Sequence, residues 1–494
     1  MINKVYKKTQ GFALALTLFL IVILATVCFA ALNITTLDAR TATEDYKASR
    51  AFYAARAGVA FAKSELTDSA HVSLTSKLTY PKQNLQLAGG QTSEESFSLI
   101  ITPATDNPAR AFRIWKVEST GYYDNASRQI IAYLERETFA HYAYFTDRET
   151  CMSSIIQFME KDKITGAVHT NGFFTVSGHP QVAGQMVSAN SGDSSYNKTT
   201  GVYTRTDNQK VTDNKDFYHA SNSNYNTDRV TALDDSPDFS FAGGQTEVPL
   251  PSTTSSEIIE AANMAETSFN GNYRIVFTEN GKAKFYKQVT KQVTTYVNGR
   301  PHTTTKTFYD GYPPDTGGTD KPEKTLDTTV RPGITMYVDG NIEVSGDING
   351  RCTLSSSGDT YIVDDFQYVN PTNCVMGILS ERNIIVRADK NVKRDFYIDA
   401  ILMALNGSFT VENYDSGIDR GELHVFGGIV QNKRGPVGQT KTQTSGGHST
   451  QSHTGYAKDY VYDAKLETMP PLNFPYTGKF IIRYFIDKGS LGGV

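Results

Sequence analysis

Asp364-Asp365, with Asp339, Asp347 and Asp359 nearby in the chain, are carboxylates whose types could do chemistry. Glycoside hydrolysis needs two carboxyls facing one groove, ~5 to 9.5 Å apart. Neighbouring strand residues point to opposite faces, so Asp364 and Asp365 can share a site only at a turn. Asp and Asn are also the ordinary corner residues of β-turns, and that reading takes precedence. His169 with Asn171 has the types to hold a metal or polarise a substrate, yet a His in a Gly-Asn turn reads as structural. His448 and His453 lie in a Gly, Ser and Thr-rich loop with no partner Cys or Glu, and a metal site needs three or four ligands. Asp339-Gly340-Asn341 hints at calcium but misses the spacing of the EF-hand loop and of Gly-rich calcium repeats. Lys433-Arg434-Gly435-Pro436 reads as a solvated basic turn. No Walker loop, Rossmann fingerprint or Gly-x-Ser-x-Gly elbow occurs. The expectation is no catalytic residue, no metal and no cofactor.

Cysteine adds little to that chemistry. Of Cys28, Cys151, Cys352 and Cys374, no two stand at C-x-x-C spacing. Cys28 falls within an apolar run and reads as inert packing. Outside the cytoplasm, Cys352 and Cys374 could bridge, closing a loop of about 23 residues worth ~3 kcal/mol in the chain-entropy model. Cys151 is an equal alternative partner.

The elements that must position these residues begin with a membrane span. Lys4, Lys7 and Lys8 precede Gly11, and a charge-free apolar run then extends from Phe12 to Leu32. About 21 residues at ~1.5 Å each match a ~30 Å hydrocarbon slab. The flanking lysines place the N-terminus on the cytoplasmic side. Between Asp38 and Leu66 there is no Pro and Gly58 is the only Gly, while Ala abounds. The helix is therefore expected to continue unbroken to Leu66, with Leu37, Ala42, Tyr46, Phe52, Val59 and Leu66 approximating one face. A secretory signal has an apolar region of only about 7 to 15 residues, although Cys28-Phe29-Ala30 before Ala31 has small-residue cleavage character. A plain single-span anchor fits the span length as well.

Lys7-Lys8-Thr9-Gln10-Gly11-Phe12, the apolar helix, and Ala51-Phe52-Tyr53-Ala54-Ala55-Arg56-Ala57-Gly58 together resemble the leader of type IV pilin-like proteins, closest to the PilX-type minor pilins. The resemblance covers roughly the first 66 residues. It implies cleavage between Gly11 and Phe12 by a prepilin peptidase, N-methylation of Phe12, and partnership with other pilins through the helix. The fifth mature position, Glu in most major pilins, is Leu16 here. PilX-type leaders often share that departure, which points away from a bulk fibre subunit.

Beyond the helix, 494 residues suffice for two or three domains with their own cores. The 28 Tyr and 26 Phe, with charged residues at 20%, suit β-structure more than helix bundles. The formal net charge of −4 becomes −4 − 3 = −7 once Lys4, Lys7 and Lys8 are removed, before the new amine is counted. Nothing advertises nucleic-acid binding, which needs a basic surface. β-rich segments at Phe97–Thr102, Phe112–Glu118 and Ser127–Glu137, with a turn at Gly121–Asn125, predict a small antiparallel sheet against the outer half of the helix. Short apolar triplets separated by Gly and Asn recur from Ile164 to Val187, and more strongly from Met336 to Val430. They predict a parallel β-helix-like solenoid in preference to a sandwich, because two-residue hairpin turns are so few. Between them, Glu257–Glu266 reads as a helix capped by Ser255 or Ser256. Glu279-Asn280-Gly281 and Asn298-Gly299 mark two hairpins.

Segments around Val168–Gly172, Gly427–Gly438, Gly455–Asp463 and Pro470–Pro475 resemble an uncharacterised bacterial domain found behind PilX-type leaders. That resemblance spans roughly 140 to 485, with 190 to 330 as a variable part, and carries no assigned chemistry. The predicted organisation is α+β: leader 1–11, membrane-spanning and extended helix 12–66, small sheet 67–138, and the first part of a solenoid 139–189. An inserted loop, helix and hairpins follow at 190–332, then the main solenoid with a C-terminal wrap at 333–485. The expected protein is a non-enzymatic, pilin-like subunit of the bacterial inner membrane with its bulk outside. A membrane-tethered carbohydrate-active enzyme and a type II secretion pseudopilin are the alternatives.

Overall fold

One unbroken helix, α1 (Tyr6–Thr67), opens the chain. At ~1.5 Å per residue its 62 residues reach about 93 Å. The structure is a computed structural model that describes residues 6–67, 77–86, 90–104, 114–151, 154–160, 162–172, 174, 176–177, 179–189, 194–197, 202–205, 230–235, 240–242, 246–297, 300–318, 320–445 and 448–490. Every side chain from Phe12 to Tyr46 is exposed, and burial begins only at Lys47. The buried stripe is Ala51, Ala54, Ala55, Val59, Ala62 and Leu66. Val59 and Leu66 of the expected face are in it, but Leu37 and Tyr46 are 60% and 55% exposed. Small side chains decide the face, because they let strands approach the helix axis closely.

Against that stripe lies a sheet in the order β1 (Leu78–Gln86), β2 (Thr92–Pro103), β3 (Ile114–Tyr123), β4 (Ala126–Thr138) and the C-terminal strand Tyr476–Ser490. β1 to β4 are antiparallel neighbours. The expected turn between β3 and β4 is present, with Asp124 at φ 52°. Asp is among the few residues that tolerate such a backbone. Phe97, Leu99, Trp115, Val117 and Leu134 fill the space between helix and sheet, joined by Phe480 from the last strand. The fifth strand corrects the expected boundary at 485. The chain divides into two compact units, residues 1–136 with 478–494, and residues 137–477.

The second unit is a solenoid of stacked parallel rungs with three faces. Along the first face the rungs run from Ser268–Asn270 through Ile334–Asp339, Arg351–Ser356 and Val375–Ser380. They continue through the second halves of Phe396–Ala404 and Asp419–Lys433. The stack then passes to β5 (Tyr144–Arg148), Val168–Thr170, Gln185–Ser188 and Ser240–Ala242. Spatial order is thus permuted relative to chain order, since residue 144 pairs beside residue 429. A second face stacks Tyr273–Thr278, Ile342–Val344, Thr360–Ile362, Ile384–Val386 and Phe409–Val411. A third joins Phe366 to Ile398, then 423–427, 458–462, Lys163–Thr165, Gln181–Ala183 and Thr231–Ala232. Alternate apolar residues from all three point inward, among them Met336 and Ile378 of the first, Val344 and Ile384 of the second, and Ile398 and Val425 of the third.

Where the first face turns into the second, side chains of one coil accept backbone N–H groups of the next. Asn272 Oδ1 accepts from Asn341 N–H at 2.9 Å, and Asn341 Oδ1 from Asp359 N–H at 2.8 Å. Asp359 Oδ1 accepts from Asn383 N–H at 2.9 Å, and Asn383 Oδ1 from Ser408 N–H at 3.0 Å. A buried corner would otherwise strand those donors. Gly340 sits in this ladder because a Cβ there would lie 2.3 Å from the Gly271 carbonyl oxygen.

The expected insertion at 190–332 is partly solenoid, since Thr231–Ala232, Ser240–Ala242, Ser268–Asn270 and Tyr273–Thr278 are rungs. A rung needs only two or three inward side chains, such as Tyr273, Ile275 and Phe277, so polar flanks hide it. The predicted helix is α2 (Ser256–Met264), whose first turn is capped by Ser255 Oγ accepting from Ile258 N–H. Both predicted hairpins form. Tyr273–Thr278 pairs with Lys282–Lys287, and Gln288–Val297 with Arg300–Tyr309. Asn298 and Gly299 themselves lie outside the described residues.

Candidate functional site

Among the described residues, one helix, α1, is long and apolar enough to cross a membrane. The span Phe12 to Leu32 is helical throughout. Its polar side chains are satisfied within the helix. Thr17 Oγ1 donates to the Leu14 carbonyl at 2.8 Å, and Thr26 Oγ1 to the Ile23 carbonyl at 2.8 Å. Hydrocarbon offers no other partner for a hydroxyl. Gly11 and Phe12 both lie within α1, with Phe12 72% exposed. Met1 to Val5, and the side chains of residues 6–11 including Lys7 and Lys8, are outside the described ones.

Charged contacts mark where the helix leaves solvent for the sheet. Lys47 Nζ meets Asp124 Oδ2 at 2.9 Å. Arg50 pairs with Glu95 and lies over the Tyr123 ring, 4.3 Å from its centroid. Hydrogen bonding to Glu95 and Tyr46 raises the Arg50 pKa above the ordinary guanidinium value, while Glu95 is lowered, its burial outweighed by bonds from Ser93, its own backbone and Arg50.

Of the carboxylates weighed for catalysis, Asp347 is exposed within a strand, in register with Gln367, away from the others' side-chain partners. Asp364 and Asp365 do come together, but around one cation: Arg394 Nη2 lies 3.0 Å from Asp364 Oδ1 and 2.5 Å from Asp365 Oδ2. These bonds raise the Arg394 pKa. Asp339 accepts from Ser357 Oγ at 2.7 Å, and Asp359 belongs to the corner ladder. His169 is buried, stacked on Phe145 at 5.0 Å and 6°, with Nε2 3.0 Å from Asn171 Oδ1. Asn171 in turn exchanges two hydrogen bonds with the Val248 backbone. His453 Nδ1 lies 3.1 Å from Thr440 Oγ1.

The possible bridge between Cys352 and Cys374 is not formed, and both thiols are free and buried. Cys352 stands opposite Met376, two residues from Cys374, and the Cys374 sulfur accepts from Gly350 N–H at 3.5 Å. Burial pushes the Cys352 thiol far up. The Cys151 side chain lies outside the described ones.

Arg434, expected in a solvated turn, is 1% exposed. Its Nη1 lies 2.9 Å from Glu149 Oε2, and its guanidinium carbon 3.6 Å from the Phe158 ring centroid. Lys458 pairs with Asp162, and Gln431 Nε2 donates to Tyr144 Oη at 3.0 Å. Each contact joins the last solenoid coils in sequence to the first. Desolvation lowers the Lys458 pKa. No local signal marks these partners, which are hundreds of residues apart.

The family described as "Domain of unknown function (DUF4900)" matches residues 111–191, well under half of the chain. The match includes β4, β5 and the buried His169. No curated protein matches the sequence. Among solved structures, the crystal structure of the competence-associated pilin ComZ from Thermus thermophilus is similar over 90% of this chain and 97% of that one, with 12% identity and a TM-score of 0.28. At that score the likeness carries no argument of its own.

Proposed function

We propose that this chain is a non-enzymatic, type IV pilin-like protein of the PilX-type minor group. Its helix is held in the bacterial inner membrane with the N-terminus cytoplasmic, and packs among other pilin helices on assembly. A prepilin peptidase cuts between Gly11 and Phe12, and the solenoid is displayed outside for assembly priming or adhesion. The carrying observation is α1: its outer part is anchored on a sheet, while every side chain from Phe12 to Asp45 is exposed. A tether does not need some 35 further residues of rigid helix, but a subunit packing side by side does. Each buried Leu, Ile, Val or Phe from that surface adds about 1.5–3 kcal/mol.

The non-enzymatic part is supported by Arg394, which neutralises the one adjacent carboxylate pair that sequence singles out. N-terminal mass spectrometry of membrane and sheared-surface fractions tests the reading. A mature chain starting at methylated Phe12 is expected in both; an intact Met1 everywhere would reduce the helix to an anchor.

A further inference from the structure

On the third solenoid face, Glu422 and His424 stand two residues apart on one strand, so both point outward while Leu423 and Val425 point into the core. In register on one neighbouring strand is Asp459, and on the other Tyr397. The Tyr397 ring stacks on the imidazole at 4.6 Å and 11°, which fixes its plane. His424 Nδ1 lies 2.6 Å from Asp459 Oδ2. A carboxylate can only accept, so a neutral ring carries its proton on Nδ1 and turns the Nε2 lone pair away from Asp459. Nε2 then faces Glu422 Oε2 at 3.7 Å.

That separation is too long for a hydrogen bond. Two donors each ~2.1 Å from a common ion at a tetrahedral angle sit about 3.4 Å apart, so 3.7 Å is close to the span of two metal ligands. The three donor groups lie within 4.8 Å of one another. Carboxylate, imidazole and ion in line is also the arrangement by which an outer carboxylate orients a metal-binding histidine.

We propose that Glu422 and His424 form a surface half-site for a divalent transition-metal ion, Zn²⁺ above all, with Asp459 as the orienting residue. Imidazole favours zinc over magnesium or calcium. Glu422 is 60% exposed and His424 25%, so the remaining positions open to water or to a donor from another molecule.

The test titrates metal-free full-length protein in detergent with ZnCl₂ by calorimetry, beside His424→Ala, Glu422→Gln and Asp459→Asn. The chain has nine histidines, so the informative quantity is the difference between variants. Wild type should bind one more Zn²⁺ than His424→Ala, Glu422→Gln should lose at least tenfold in affinity, and Asp459→Asn about 10–100-fold. All three residues are on the surface, and unchanged melting without zinc confirms that the variants fold. Equal zinc stoichiometry and affinity in wild type and His424→Ala overturns the assignment, as does wild type that binds none at millimolar zinc.

Discussion

The buried cations set the energetics at the residue scale. Arg434 and Glu149 are both buried, so removing one partner leaves an uncompensated charge. Arg434→Ala should cost about 3–5 kcal/mol, whereas Arg434→Met combined with Glu149→Gln should cost far less, in urea unfolding followed by circular dichroism. Asp399 gives a prediction in pH. Burial raises its pKa, opposed by the Tyr368 N–H at 2.8 Å and reinforced by Asp463. A raised folded-state value means that folding favours the protonated form. The favourable contribution is complete below the ordinary Asp range and is lost as pH rises through the raised value. Asp399→Asn keeps an acceptor for Tyr368, so it should melt above wild type at about pH 7, with the gap closing by about pH 3. Residue type made the corner role of Asp359 legible, but not the bonds that Asn341 and Asn383 make to the next coil, 18 and 25 residues on. Arg434 was not legible, because its partner is 285 residues away and only the permuted stacking brings them together.

Helix and sheet meet through very small residues, which sets the prediction at the scale of elements. A Cβ on Gly121 of β3 would lie 2.0 Å from the Ala51 carbonyl oxygen and 2.3 Å from the Ala55 nitrogen. Those are backbone atoms of α1 and cannot swing aside. Gly121→Ala should therefore destabilise the helix–sheet unit by about 1–3 kcal/mol. Trp115 is the chain's single tryptophan, fully buried beside Phe480 with ring centroids 5.4 Å apart. Its fluorescence thus reports on this unit alone. Phe480→Ala, which opens a cavity next to it, should lower the same transition by about 3–5 kcal/mol. Composition made the length of α1 legible, since Ala without Pro propagates a helix. Its buried face was not, because the pattern of large apolar residues misleads where close approach selects alanine and glycine. The fifth strand was hidden for another reason: Phe480 to Ile486 is apolar at every position but Arg483, and nothing local says which sheet such a run joins.

The whole molecule follows from where the solenoid is inserted. It leaves the small sheet after β4 and returns just before the C-terminal strand, and its two ends are neighbours. Phe139 N–H donates to the Pro475 carbonyl at 3.0 Å, and Thr477 Oγ1 to Glu137 Oε2 at 2.8 Å. The permuted stack explains the closeness, since β5 takes its place directly beside residues 429–433 of the last coils. A domain whose ends touch can be removed without stretching its host, because loop closure over a short link costs little. Joining residues 1–136 to 478–494 through a short turn should leave a folded helix–sheet unit, with Trp115 emission as blue as in the full chain. Residues 137–477 alone should unfold cooperatively, carried by their own core. Trp115 emission shifted to that of an exposed indole would mean that the helix and sheet depend on the solenoid to form. The insertion reading makes the opposite demand: a payload that folds by itself can differ widely in length and surface while the helix–sheet carrier keeps its geometry.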